Sequence, residues 1–298
     1  MAFIGLDEFA QVSIAGGATQ AFGNVSGGEI GTAEQDINHN LGIGAQDDIN
    51  WGMVIPGASI ETIYKNEDLL DNCHRSVWNG LPTYCNVQGG IMHATSALAW
   101  QIASAYVDSV SVECGGIGEV VNVTYDLVAT GATSAALSVG AGVATPTAGN
   151  AQSAFRWEQG AVTLSVTGAA SAAYRTRNIS VELSNNLNLD SDLDVKATGS
   201  RRLPTMIEPG DEEVSVSMSV EQPTIGFDPF NDAPSGPYNI TWAISDGTNT
   251  KTFTLRHLFL TGIPVSLESG SDKVVYDLEF ESLTNARRLH TNPAWAVA

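Results

Sequence analysis

WQIASAYVDSVSVECGGIGEVVNVTYDL, Trp100–Leu127, has a counterpart later in the chain, FTLRHLFLTGIPVSLESGSDKVVYDLEF, Phe253–Phe280. Laid over each other without a gap, a shift of 153 positions, they match Trp100 with Phe253, Ile102 with Leu255, Tyr106 with Phe259, Val107 with Leu260, Val110 with Ile263 and Val112 with Val265. Val121, Val123, Tyr125 and Leu127 then fall over Val274, Tyr276, Leu278 and Phe280. These last are alternate positions, so each copy ends in a strand with one apolar face. Identity is low while the pattern of positions that packing would bury is kept, as in a duplicated fold.

The repeat extends outward from this stretch. Phe3 and Val12-Ser13-Ile14 lie over Phe155 and Leu164-Ser165-Val166, and Ile37, Leu41, Ile43 and Ala45 over Leu189, Leu193, Val195 and Ala197. After a one-residue insertion, Met53–Gly57 aligns with Met206–Gly210, Asn86-Val87 with Asn239-Ile240, and Ile91 with Ile244. Two domains are therefore expected, residues 1–148 and 149–298. The seam around 130–152 is rich in Gly, Ala, Ser and Thr, which suits a linker or a partly ordered arm.

A chain of 298 residues has room for two cores of about 150 residues each. Thirteen basic residues against 33 acidic ones give a net charge of −20, so few cations are available to displace counterions from a duplex. An encounter with DNA should be repulsive or non-adhesive. No apolar run reaches about 18 residues and no basic N-terminus precedes a hydrophobic segment, so neither a membrane span nor a secretory signal is expected. Cys73, Cys85 and Cys114 show no recognised spacing and are expected as reduced, buried thiols.

Both copies read mainly as β-structure. Ile179–Leu183 and Val214–Val220 alternate strictly, as half-buried strands do. Pro56-Gly57 and Pro209-Gly210 read as turns at equivalent places, and Gly115-Gly116 and Asp246-Gly247 as hairpin ends. One helix is expected from Glu67 to about Trp78, with Asn66 as N-cap, acids in the first turn and Gly80 at its end. The second copy has Gln222–Pro229 there, whose two prolines argue against a helix.

Chemistry-bearing constellations are sparse. Cys73-His74 with Cys85 and His93 fits no zinc spacing. The run Asp190–Asp194 lacks the glycine and distal glutamate of a calcium loop, and reads as a solvated loop. Asp211-Glu212-Glu213 reads as an exposed turn, since adjacent carboxylates do not make an acid–base pair facing across a cleft. No nucleophile elbow, phosphate loop or His-Glu-x-x-His helix occurs, so no enzyme activity, metal or cofactor is expected. Asn-x-Ser/Thr triplets at Asn24, Asn122, Asn178 and Asn239 are what chance supplies in a Ser/Thr-rich β-protein.

Arg177–Leu187, then Gly199–Pro204, then Glu208–Val214, followed by the hairpin of Val265–Leu267 and Val274–Phe280, resemble the tail tube proteins of long, flexible-tailed bacteriophages and related viruses. The resemblance covers about residues 155–283 directly and the first copy through the repeat. It implies β-sandwich subunits whose inner sheets join into a closed barrel around a channel, in rings stacked into a virion tail tube assembled in the host cytoplasm. Viral DNA would pass through without specific binding, and tail terminator, tail tip and tape-measure proteins would be partners, with no membrane. Most such rings are hexamers of single tube domains. Two domains in one chain favour a ring of three chains with pseudo-sixfold symmetry, the hexamer being the alternative.

Physical reasoning fits that implication. Open sheet edges are a pairing hazard that ring closure removes, and a wall of carboxylates lets a polyanion slide. If Val274, Tyr276, Leu278 and Phe280 face the core, Asp277, Glu279 and Glu281 point the other way, and Thr124 and Asp126 share that face in the first copy. These five residues either line a channel or meet outside solvent. A second reading is a tandem β-sandwich adhesin or carbohydrate-binding surface protein, with Trp51, Trp78, Trp242 and Trp295 as platforms.

Overall fold

The computed structural model describes residues 7–22, 25–39, 49–65, 67–75, 80–93, 96–129, 133–136, 153–157, 162–166, 172–174, 176–188, 195–198, 201–204, 206–221, 237–263, 265–267, 274–282 and 295–297. They are almost all strand. The first half contains β1 (Asp7–Ile14), β2 (Thr19–Ala21), β3 (Val25–His39), β4 (Ile49–Ile63), β5 (Cys85–His93), β6 (Ser96–Cys114), β7 (Asn122–Ala129) and β8 (Thr133–Ala136). The second contains β9 (Val162–Val166), β10 (Ala172–Tyr174), β11 (Thr176–Ser184), β12 (Val195–Thr198), β13 (Arg201–Pro204), β14 (Glu213–Glu221), β15 (Tyr238–Ser245), β16 (Thr250–Gly262), β17 (Val265–Leu267), β18 (Val274–Ser282) and β19 (Trp295–Val297).

The pairings of the two halves run in step. In β6 and β7, Val107 faces Leu127 and Val112 faces Val123, with a bulge between Val107 and Ser109. In the second half Leu260 faces Phe280, with a bulge between Leu260 and Gly262, and Val265 faces Tyr276. Each of these residues lies one repeat length after its counterpart. The same holds at the other end of the long strands: Val87 faces Ile102 beside a bulge at Cys85/Val87, and Ile240 faces Leu255 beside a bulge at Tyr238/Ile240. At these bends Ser104 and His257, again equivalent, both take positive φ (54° and 60°). Bulges bend a strand and increase its twist, so β6 and β16 each leave one sheet and enter another.

Their N-terminal parts belong to the runs β2–β1–β5–β6–β8 and β10–β9–β15–β16–β19. Their C-terminal parts join a second run, in which β3, β4, β7 and β6 are followed by β11, β14, β18 and then the end of β16 with β17. Rings meet across the layers: Phe22 lies 5.7 Å from Tyr125, and Tyr238 5.6 Å from Phe280. One apolar cluster runs through both halves, from Val12 and Ile60 to Trp242 and Phe280. The sheet of the single chain is open rather than closed into a barrel.

Several local expectations change. Pro56-Gly57 lies inside β4, opposite Thr32 and Gly31 of β3; cross-strand pairing overrides the turn preference of the dipeptide. Pro209-Gly210 does lie outside the strands, so the two dipeptides are not equivalent. By the pairings to β7 and β18, Ala58 corresponds to Val216, since they face the equivalent Leu127 and Phe280. Thr133–Ala136, within the expected linker, pair with β6 as β8. Gly115-Gly116 and Asp246-Gly247 separate strands as expected, with Gly247 at φ 88°.

The expected helix shrinks to a 3-10 turn, Leu70–Asn72. The Asn72 amide donates to the Asp68 carbonyl and the Cys73 thiol to the Leu70 carbonyl, local bonds that compete with helix propagation. Asn66 and Trp78, like Asp190–Asp194 and Gln222–Pro229, lie outside the described residues.

All three cysteines are free and buried, as expected. Burial pushes the Cys85 thiol up to about 12 and raises those of Cys73 and Cys114 too. Thiolate is the reactive form, so the folded protein should resist a maleimide at neutral pH and take up three labels once denatured, by intact mass.

Candidate functional site

Alternation in the second sheet run separates a buried face from a polar one. On β7, Val123, Tyr125 and Leu127 are buried, while Thr124 is half-buried and Asp126 exposed. On β18, Leu278 and Phe280 are buried and Tyr276 packs on the core, while Glu279 and Glu281 are exposed and Asp277 half-buried. Thr124, Asp126, Asp277, Glu279 and Glu281 thus all point away from the core. The strands between them, β6, β11 and β14, contribute Ser109, Ser111, Glu113, Ser180, Glu182, Ser215, Ser217 and Ser219 at alternating positions.

The register arranges these residues with care for charge. Asp126 stands opposite Ser59 on β4 and Ser109 on β6. Glu113 faces Ser180, and Glu182 faces Ser111. Glu182 also faces Ser215 on the other side, and Ser217, Ser219 and Ser215 face Glu279, Asp277 and Glu281. Directly opposed like charges destabilise a sheet; here each carboxylate is opposed by a hydroxyl. Three hydroxyls donate to their acids: Ser109 to Asp126 at 3.0 Å, Ser219 to Asp277 at 2.5 Å and Ser180 to Glu113 at 3.5 Å. No lysine or arginine occupies these positions among the described residues. A shallow groove between β6, β11, β14 and β18 is lined by Glu113, Ser180, Ser217, Asp277 and Glu279.

The polar face is continuous because β6 and β11 pair across the two halves. Cys114 faces Ile179, Val112 faces Val181 and Val110 faces Leu183. A buried polar cluster sits at one end of this seam. Asn185, 0 % exposed, donates its amide to the carbonyls of Cys73 and Val107, each at 2.9 Å. Its backbone N–H reaches the Asp108 carbonyl at 2.7 Å, and that of Leu187 the Asp108 carboxylate at 2.7 Å. Arg75, coming from the first half, donates to the carbonyls of Gly210 and Asn185. A side chain at Gly210 would overlap the Asn186 carbonyl, so this close approach requires glycine.

Glu212 turns inward and accepts the Arg75 backbone N–H at 3.2 Å; only 5 % of it is exposed, so the expected solvent-facing turn is a buried contact. Its neighbours Asp211 and Glu213 are exposed. Burial raises the Glu212 carboxyl above its ordinary value of 4.5, against the pull of Arg75, and burial likewise raises Asp108, against its bond to Leu187. A raised native value means that the folded state binds the proton more tightly, so this contribution to stability is present at low pH and is lost as pH rises through the native value. Relative to Glu212→Gln, the wild type should gain stability between pH 7 and pH 5 in urea titrations. Identical pH slopes for the two proteins would contradict this.

Sequence reasoning found the five polar-face residues but missed the seam and its cluster. The Ser-x-Ser-x-Glu spacing of Ser109–Glu113 marks a polar strand face; nothing local names its partner strand. Trp242 is 0 % exposed and is no platform for a glycan. Among the described residues no three His, Cys, Asp or Glu side chains group to hold a metal, and no helix is long and apolar enough to cross a membrane.

No curated protein matches the chain. A family model described as phage tail tube protein matches residues 81–282, from the region of β5 to the end of β18 and across the β6–β11 seam. With that match over more than half its length, on a mainly β chain with an acidic sheet face, the protein belongs to the phage tail tube protein family.

Proposed function

We propose that the chain polymerises as stacked rings into the hollow tube of the virion tail, with the acidic sheet face turned to the bore. Thr124, Asp126, Asp277, Glu279 and Glu281 then line the channel, and viral DNA passes without adhering. The observation that carries this reading is the β6–β11 seam, which makes one sheet of two halves with matching strand order. An arrangement that already joins one half to the next within a chain can join further halves between chains. The parallel registers and bulges support an ancestral half-length unit that was doubled, with domains 1–148 and 149–298. Three chains then supply six such units, which favours a trimeric ring over a hexamer. Terminator, tip and tape-measure proteins would meet the two ends and the bore of the tube, assembled in the host cytoplasm.

Electron microscopy of purified protein, seeded with tail tips, tests this. Hollow tubes whose rings contain three chains are expected; a monomer that never assembles would overturn the reading. Charge tests the bore. Tubes of a variant carrying Asp126→Lys with Glu279→Lys should retain duplex DNA at low salt and release it as salt rises, because each added cation exchanges for phosphate counterions. Wild-type tubes should retain little.

A further inference from the structure

The run that carries the seam is open at both ends among the described residues. β3 pairs only with β4 along one side, and β17 pairs only with β18. They occupy the places in their halves that β11 and β6 occupy at the seam. β11 is bonded to β14 as β3 is to β4, and the C-terminal part of β6 is bonded to β7 as β17 is to β18. The chain therefore displays, at opposite ends of one sheet, the two edges whose union it already contains internally.

The internal seam also specifies how the open edges meet. Val216 and Ala58 are equivalent through their partners Phe280 and Leu127. Their other partners, Val181 and Ile30, are therefore equivalent as well. Across the seam, Val181 faces Val112, and Val112 corresponds to Val265. We infer that β3 of one chain pairs antiparallel with β17 of a second copy in a single register, with Ile30 opposite Val265, Glu29 opposite Ser266 and Gly28 opposite Leu267. This rests on the ring reading above and adds to it the partner edge and register.

Two features of that register support it independently of the equivalence. Glu29 falls opposite Ser266, the mirror of Ser180 opposite Glu113, so the rule that opposes each acid with a hydroxyl continues across the junction. A slip of one position would put Glu29 against Val265 or Leu267 and exchange faces for the whole strand. The two edges are also unlike, one from each half. Their contact is head-to-tail and propagates from chain to chain until the rotation closes.

Cysteine cross-linking of full-length protein tests the register. Glu29→Cys with Ser266→Cys is the inferred pair. Gly27→Cys and Gly31→Cys, each with Ser266→Cys, keep the same strand parity but are displaced by two positions. Ser180→Cys with Glu113→Cys is the internal reference, since that pair is recorded at the seam. After assembly and mild oxidation, the inferred pair should give covalent multimers at least fivefold more abundantly than either displaced pair, ending at the size of the ring. The reference should give only an intramolecular bond.

A displaced pair dominating while rings form would overturn the register and leave the ring reading standing. Rings without any of these cross-links, although the reference oxidises, would overturn the choice of edges. Absence of rings for wild type would remove both. Hydrogen exchange of unmodified protein adds a readout that needs no variant: amides of residues 25–33 and 265–267 should slow at least tenfold on assembly. Unchanged exchange there in assembled tubes overturns the pairing.

Discussion

Trp242→Ala should lower the stability of the folded chain by about 3–5 kcal/mol, the range for truncating a large buried aromatic. Trp242 is fully buried, stacks on Phe253 at 5.0 Å and meets Trp157 edge-on at 6.2 Å. Trp157, at the start of the second half, bonds back to the first. The Trp157 carbonyl accepts the Gly118 N–H at 2.8 Å, and Arg156 exchanges backbone bonds with Ser245 at 2.8 and 3.0 Å. Removing the indole therefore opens a cavity where the two halves share one core. Chemical denaturation followed by fluorescence and by circular dichroism should show both halves losing structure together at lower denaturant. Trp242→Phe should cost less than the alanine, because the Trp242 Nε1–H is buried with no hydrogen-bond partner among the described residues and its removal relieves an unmade bond. A first transition confined to the second half would show that the shared cluster does not couple the halves.

What could be read from the sequence follows from which signals are periodic and which are relational. The alternation of Val121–Leu127 and Val274–Phe280 is a property of each strand alone, so the polar-face residues followed from it directly. Val12-Ser13-Ile14 over Leu164-Ser165-Val166 was also legible, and the structure pairs them with Val87-Asn86-Cys85 and Ile240-Asn239-Tyr238 in one register. The bends at Ser104 and His257 were hidden because neither position is glycine, the residue that usually marks positive φ. Pro56-Gly57 misled because turn chemistry is local, whereas the long β3–β4 pairing that absorbs it is not.

The seam lay furthest from view. Ile179–Leu183 is as good a strand beside β14 alone as between β14 and β6, and pairing with Val110–Cys114 is a choice made in three dimensions. Glu212 shows the same limit. In an acidic triplet the middle residue has no sequence mark of burial; what turns it inward is Arg75, far away in the chain, arriving from a loop that reads as a helix in isolation.

The same cluster yields the second large effect. Asn185→Ala should destabilise the chain by about 2–4 kcal/mol, because it strands two buried acceptors at once, the carbonyls of Cys73 and Val107, and each unsatisfied group costs roughly 1–3 kcal/mol. The backbone N–H of residue 185 still reaches Asp108, so the seam should survive in weakened form rather than separate. Asn185→Asp should cost at least as much near neutral pH. It replaces the donating amide with a carboxylate that has no proton to give to either carbonyl, in a site already crowded by Asp108 and Glu212. Part of that cost should return on acidification, since protonation restores one donor and removes the charge, whereas the alanine variant should not recover in this way. Urea midpoints for both variants at pH 7 and pH 5 read the contrast. An aspartate variant as stable as wild type at pH 7 would mean that the amide is not the group joining Cys73 to Val107.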